Sequence, residues 1–235
     1  MNIDFYRPCF TADLLMGPNS LRLMQELLHK HPLPLTAQDE LLDLGCGKGL
    51  TSYALARETA AHVYAADLWI KPEENAERFR EWGVEEKVTP VYADGNALPF
   101  AKKQFQALVS VDSYHYFATG EDFFAEKILP FLADGAQVLI AIPGIKDAYA
   151  GRSEELLIDW LREESYMFQS PETWKRIIGS HERIETVETW EMACFEEAWA
   201  DWLSTDHPYA KGDERFYADM IKPRTCFAGI YVKLK

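Results

Sequence analysis

Glu40-Leu41-Leu42-Asp43-Leu44-Gly45-Cys46-Gly47-Lys48-Gly49-Leu50-Thr51 is the stretch that decides the fold. An apolar run ends in an acid and three alternating glycines, and a helix-compatible segment follows from Ser52 to Glu58. This reads as a buried strand, a tight loop and a helix start, the place where an open α/β sheet holds a nucleotide-like ligand. Each glycine removes a Cβ from a turn that must approach a ligand closely. A dinucleotide fingerprint starting at Gly45 needs its third glycine at position 50, which is Leu50. A P-loop ending in Gly47-Lys48 needs glycine at Leu42 and a hydroxyl residue at Gly49. Both phosphate-binding patterns miss a required position. Glycines kept only for packing are the plainer alternative.

Downstream, short apolar segments keep ending in acids or turns. His62-Val63-Tyr64-Ala65-Ala66-Asp67 is a second strand, and Glu73 to Trp82 a charged amphipathic helix closed by Gly83. Val88 begins a third strand that runs into Asp94-Gly95-Asn96-Ala97-Leu98-Pro99-Phe100. Phe105 to Val111 is a fourth, leading into Asp112-Ser113-Tyr114-His115-Tyr116-Phe117. Phe123 to Leu132 reads as a helix, Ala133-Asp134-Gly135 as a turn, and Gln137 to Ile142 as a fifth strand ended by Pro143-Gly144. Its unbroken apolar character fits a strand buried on both faces.

These motifs resemble class I S-adenosylmethionine-dependent methyltransferases, specifically the small-molecule, methyltransferase type 11-like group. The resemblance covers residues 40–143. It implies a Rossmann-like, doubly wound, seven-stranded sheet, mostly parallel with an antiparallel C-terminal strand. It also implies S-adenosylmethionine as cofactor, S-adenosylhomocysteine as product and in-line methyl transfer to a small molecule. Carried onto this chain, Asp43 lies near the methionine end of the cofactor, and Gly45, Cys46 and Gly47 bring the backbone close. Asp67 accepts the ribose hydroxyls, a use that suits an ionised acid with several acceptor sites, and Leu68 or Trp69 packs on the adenine. Asp94 meets the adenine amine beside Gly95 and Asn96, and Val111 leads into the loop facing donor and acceptor. His115 is the candidate general base, because a histidine titrates near neutral pH. Loop capping by Asp67, turn formation by Asp94 and a structural His115 are the alternative readings of the same residues.

Around this core, residues 1–35 read as an N-terminal helical cap, 36–143 as the cofactor-binding core and 144–235 as the acceptor side. The cap holds a helix from Ser20 to His31 with Leu21, Met24, Leu27 and Leu28 on one face. Tyr6 precedes it as a candidate cover for the site, or as an ordinary packing residue. Helices are expected over Ser153–Glu164, Pro171–Ile178, Phe195–Leu203 and Asp213–Ile221, with late strands at Arg183–Met192 and Thr225–Leu234. Phe195, Trp199 and Trp202 form one helical stripe, read as core or as the wall of a pocket for a flat or cationic acceptor.

Composition narrows the partners. The net charge is -14, and residues 151–220 alone carry 17 acidic against 7 basic side chains. Such a field repels phosphate backbones, so a nucleic-acid partner is not expected. The segment Met1 to Arg7 lacks a signal-peptide pattern, and no apolar run approaches the ~18 residues of a membrane span. The scattered Cys9, Cys46, Cys194 and Cys226 suit reduced thiols in a cytoplasmic protein. No tight His/Asp cluster supports a metal, although Asp112 is a conceivable ligand. A non-catalytic nucleoside-binding protein of the same fold is the rival reading. A nicotinamide dehydrogenase, opposed by Leu50, is the third.

Overall fold

The computed structural model describes residues 1–118 and 120–235. Its centre is a seven-stranded sheet built from β1 (Glu40–Leu44), β2 (His62–Asp67), β3 (Val88–Tyr92), β4 (Phe105–Val111), β5 (Leu132–Ile145), β6 (Ile184–Glu191) and β7 (Thr225–Leu234), in spatial order β3-β2-β1-β4-β5-β7-β6. The first five strands run parallel, and β7 pairs antiparallel with both β5 and β6. The mostly parallel sheet with an antiparallel C-terminal strand is thus the observed architecture. Strand order reverses between β1 and β4, which makes their carboxyl ends the topological switch point.

Each central strand is apolar at consecutive positions because both of its faces are covered. Leu41 and Val109 point into one core layer with α1 (Ser20–Lys30), α2 (Leu50–Glu58) and α3 (Pro72–Glu81). Leu42 and Leu108 point into the other, with α5 (Pro171–Ile178), which follows α4 (Ser153–Leu161) in the chain. α6 (Phe195–Leu203) joins the first layer, and α7 (Pro208–Phe216) packs against it. α1 buries Leu21, Leu23, Met24 and Leu27 completely, each worth ~1.5–3 kcal/mol of apolar transfer. Asn19 caps it through Leu21 N–H (3.0 Å) and ties it to α6 by donating to Asp201 (2.8 Å).

Three sequence expectations are corrected. Instead of a helix over 123–132 there is a π-turn, Phe124–Ile128, and a 3₁₀ turn, Leu129–Phe131, because Pro130 cannot continue an α-helical ladder. β5 starts at Leu132, includes the expected turn at 133–135 as an irregularity, and runs through Pro143-Gly144 to Ile145. Beyond the end of β4 it pairs only with β7, which continues the ladder past the proline. α7 begins at Pro208, five residues before the expected Asp213, with proline in its first turn and His207 capping Tyr209 N–H.

Candidate active site

Four loops meet at the carboxyl edge of β1 to β4 and enclose a cavity of about 310 Å³. The glycine loop forms its floor. Gly45 and Cys46 donate N–H groups to Ala66 O (2.8 and 3.1 Å), drawing the loop over the end of β2. Gly45 has φ +74, and a Cβ there would lie 1.7 Å from Ser113 Oγ, so the β1 and β4 loops touch only because position 45 has no side chain. Gly49, at φ +82, has the Phe79 ring of α3 where its Cβ would stand (2.6 Å). The third glycine therefore serves helix packing, while Gly45 and Gly47 bare the backbone to the cavity.

Asp67 lines the cavity and organises the loop at the same time. One oxygen accepts Gly47 N–H (2.8 Å), and the other accepts Trp69 and Ile70 N–H (2.7 and 2.8 Å). A carboxylate has about four acceptor sites, so about one stays open toward the cavity. Asp94 accepts from the backbone and side-chain nitrogens of Asn96 (2.8 and 2.9 Å) through Oδ1. Those two bonds hold its carboxyl below the usual range, and Oδ2 has no partner among the described residues. Gly45, Cys46, Gly47, Asp67, Leu68, Asp94, Gly95, Asn96 and Val111 all line this one cavity. Burial pushes the Cys46 thiol well up, so it lines the wall as a protonated thiol.

Asp43 stands apart from them. It is fully buried behind the loop, outside the cavity lining, and its Oδ2 accepts Thr51 Oγ1 (2.6 Å) and Ser52 Oγ (2.5 Å) from α2. Burial pushes its carboxyl up to about 6 against those two hydrogen bonds. Through Oδ2 Asp43 braces the loop against α2, while its buried Oδ1 has no partner among the described residues.

The roof comes from a segment that sequence reasoning missed. Residues 14–18 cross the cavity, and Lys48 Nζ donates to Asp13 O to tie this strap to the glycine loop. Only Gly17-Pro18 before the Asn19 cap signalled it. Tyr6 is not part of the roof: it is buried, stacked edge-on against Tyr53, and donates to Glu58 Oε1 (3.0 Å).

A second cavity of about 150 Å³ adjoins the first and shares Met16, Gly17, Pro18, Asp112 and Tyr116 with it. Asp112 leaves β4 at φ +55, a conformation rare for a residue with a side chain but one that aspartate tolerates. Its Oδ2 lies 3.0 Å from where a Gly17 Cβ would be, so the strap closes over the carboxylate. Burial, aided by Asp213, pushes Asp112 up to about 7. His115 lies in this second cavity rather than the first. It is 3% exposed, and burial pushes its imidazole down to about 3, which keeps it neutral and a weak proton acceptor. The helical stripe is core at Trp202, while Trp199 also walls the second cavity.

Residues 41–135 match a family model described as a methyltransferase domain. The chain is 33% identical over 85 residues to a 27-O-demethylrifamycin SV methyltransferase of Amycolatopsis mediterranei, an overlap covering 36% of this chain and 31% of that protein. It spans about a third of the length of the curated relatives it matches. Among solved structures, geranyl diphosphate C-methyltransferase from Streptomyces coelicolor superposes with TM-score 0.70 at 18% identity, over 89% of this chain and 78% of that one. The [4+2]-cyclase SpnF superposes with TM-score 0.71 at 17% identity, over 90% and 80%. No helix among the described residues is long and apolar enough to cross a membrane. With its strand order, its glycine loop and these similarities, the chain has the class I S-adenosylmethionine-dependent methyltransferase fold.

Proposed function

We propose that the larger cavity binds S-adenosylmethionine and that the protein transfers its methyl group to a small molecule seated in the smaller cavity. The observation that carries this reading is the shared wall: a cleft lined by four strand ends and a second, aromatic chamber have Met16, Gly17, Pro18, Asp112 and Tyr116 in common. The residues present fit such a cofactor. Gly45 and Gly47 line the cavity with backbone alone, and Asp67 and Asp94, which line it too, each keep an unfilled acceptor position.

In this arrangement Asp67 takes ribose hydroxyls, Leu68 and Trp69 cover the adenine, and Asp94 with the Gly95–Asn96 backbone meets its amine. Gly45, Cys46 and Gly47 flank the amino-acid portion below the 14–18 strap, and Val111 closes the floor. The cofactor supplies an activated methyl on a sulfonium. The protein's task is alignment: Met16–Pro18 and Asp112 border both chambers, so they are placed to exclude water and fix the approach of the acceptor. Asp112 borders both chambers whereas His115 lines only the second, and burial raises the carboxyl and lowers the imidazole, so Asp112 is the better-placed proton acceptor.

A fold match of similar strength to a cyclase supports keeping a second reading, a protein that binds the nucleoside without transferring methyl. Calorimetric titration with S-adenosylmethionine, S-adenosylhomocysteine and NAD separates the possibilities. The proposal requires saturable binding of both adenosyl ligands and none of NAD. Binding without transfer to any acceptor across a broad screen would favour the second reading, and NAD binding alone would refute both.

A further inference from the structure

The walls of the second cavity carry a chemical preference. Trp160, Phe168, Trp199 and Phe227 supply aromatic surface, and Asp112, Glu164 and Asp213 supply carboxylates, with no Lys or Arg among the described lining residues. Asp213 is fixed in place: Trp160 Nε1 donates to its Oδ1 (2.9 Å) and Trp202 Nε1 to its Oδ2 (3.0 Å). His115, 3% exposed, lines the same space with its Nδ1 unpartnered, so the chamber is polar at its floor as well as aromatic at its sides.

Resting on the methyltransferase reading above, we propose that the acceptor is an amine that enters as its ammonium, is held by the aromatic and carboxylate walls, and gives a proton to Asp112 before it is methylated. A cation is favoured over an aromatic face and next to a carboxylate, whereas an anionic acceptor meets three acids and no compensating charge. Asp112 is the carboxylate common to both chambers, so it alone of the three faces the reacting atoms. The groups that share the second chamber with it are Asp213 from α7, His115 and Tyr116 from its own loop, Glu164 from the turn after α4, and the uncharged strap at Met16–Pro18. The ammonium transfers one proton to the Asp112 carboxylate, and the freed nitrogen lone pair forms the new bond to the methyl carbon. The carbon–sulfur bond breaks with its electron pair on sulfur, which leaves a neutral thioether and a methylated ammonium. The raised pKa of Asp112 suits a group that must take and later release that proton.

The test uses the full chain saturated with S-adenosylhomocysteine, titrated with benzyltrimethylammonium, benzyl alcohol and benzoate of matched size. Binding should fall in that order, with the cation roughly tenfold tighter than the alcohol. Asp112→Asn should weaken the cation roughly tenfold and Glu164→Gln roughly threefold, with the Glu164→Gln protein still binding S-adenosylhomocysteine as before. Benzoate binding as tightly as the cation, or a cation indifferent to both substitutions, would overturn the inference alone. Failure of S-adenosylhomocysteine to bind at all would overturn the cofactor reading and this inference with it.

Discussion

The two chambers of the cleft are built from different materials. The larger is made of backbone and short acids at the ends of β1 to β4, where geometry is fixed by N–H donors and by missing Cβ atoms. The smaller is made mostly of large side chains drawn from the strap, the loop after β4, α4 and the turn after it, α6, α7 and β7. The first is a site defined by what the chain leaves out, with Ser113 and Phe79 packed where Gly45 and Gly49 would carry a Cβ. The second is a site defined by what it puts in, so changes there retune preference while the sheet stays intact. That contrast fits a fixed cofactor and a variable acceptor, and substitutions can be chosen to break it.

The largest effect is expected at Gly45. An alanine there would strain φ +74 and collide with Ser113, costing ~3–4 kcal/mol and about 10 °C in melting temperature. Thermal unfolding of Gly45→Ala checks this, and a melting point within 2 °C of the parent (~0.5–1 kcal/mol) would show that the β1–β4 loop contact is not tight. Next comes Asp67→Ala, which removes the acceptor for Gly47, Trp69 and Ile70 N–H as well as the open site toward the ligand. Affinity for S-adenosylhomocysteine should fall about 100-fold, or ~2.7 kcal/mol, by calorimetry.

Asp112 gives a pH-dependent test of the junction. Its folded pKa of about 7 stands above the 3.8 of a carboxyl in water. Between those values the folded state binds the extra proton, so this group's contribution to stability is full below pH ~4 and is lost as pH rises to ~7. Asp112→Asn should therefore stabilise the ligand-free protein at pH 8 by on the order of 2 kcal/mol, about 5 °C, and change little at pH 4. Equal melting shifts at both pH values would place the carboxylate in ordinary water. The smallest effect is a control outside both chambers. Gly212 lies within α7 with open space around its Cα, so Gly212→Ala should add ~0.5–1 kcal/mol without altering ligand binding.

The larger chamber was legible in the sequence because its parts are short-range signals: glycines and acids that end apolar runs. The strand ends at Gly45–Gly47, Asp67, Asp94–Asn96 and Val111 were read from the residues and meet in one cavity. Asp43 was harder to read because an acid at the end of a strand can face the ligand or the helix behind it, and its Oδ2 turns to the helix. Only the positions of Thr51 and Ser52 decide which, and nothing in their spacing says that both hydroxyls turn back toward β1. The 14–18 strap was marked only by Gly17-Pro18, because it has no periodicity and is held by long-range contacts, Lys48 to Asp13 and Asn19 to Asp201. Trp199 belongs both to the core and to a cavity wall, a double role that helical spacing alone does not separate.

A co-crystal structure with S-adenosylhomocysteine tests the central claim most directly. The account predicts the adenine beside Asp94 and Leu68, the ribose hydroxyls on Asp67, and the sulfur at the Gly17–Asp112 junction, pointing into the aromatic chamber. A ligand bound elsewhere, or one whose sulfur faces away from Asp112, would contradict it.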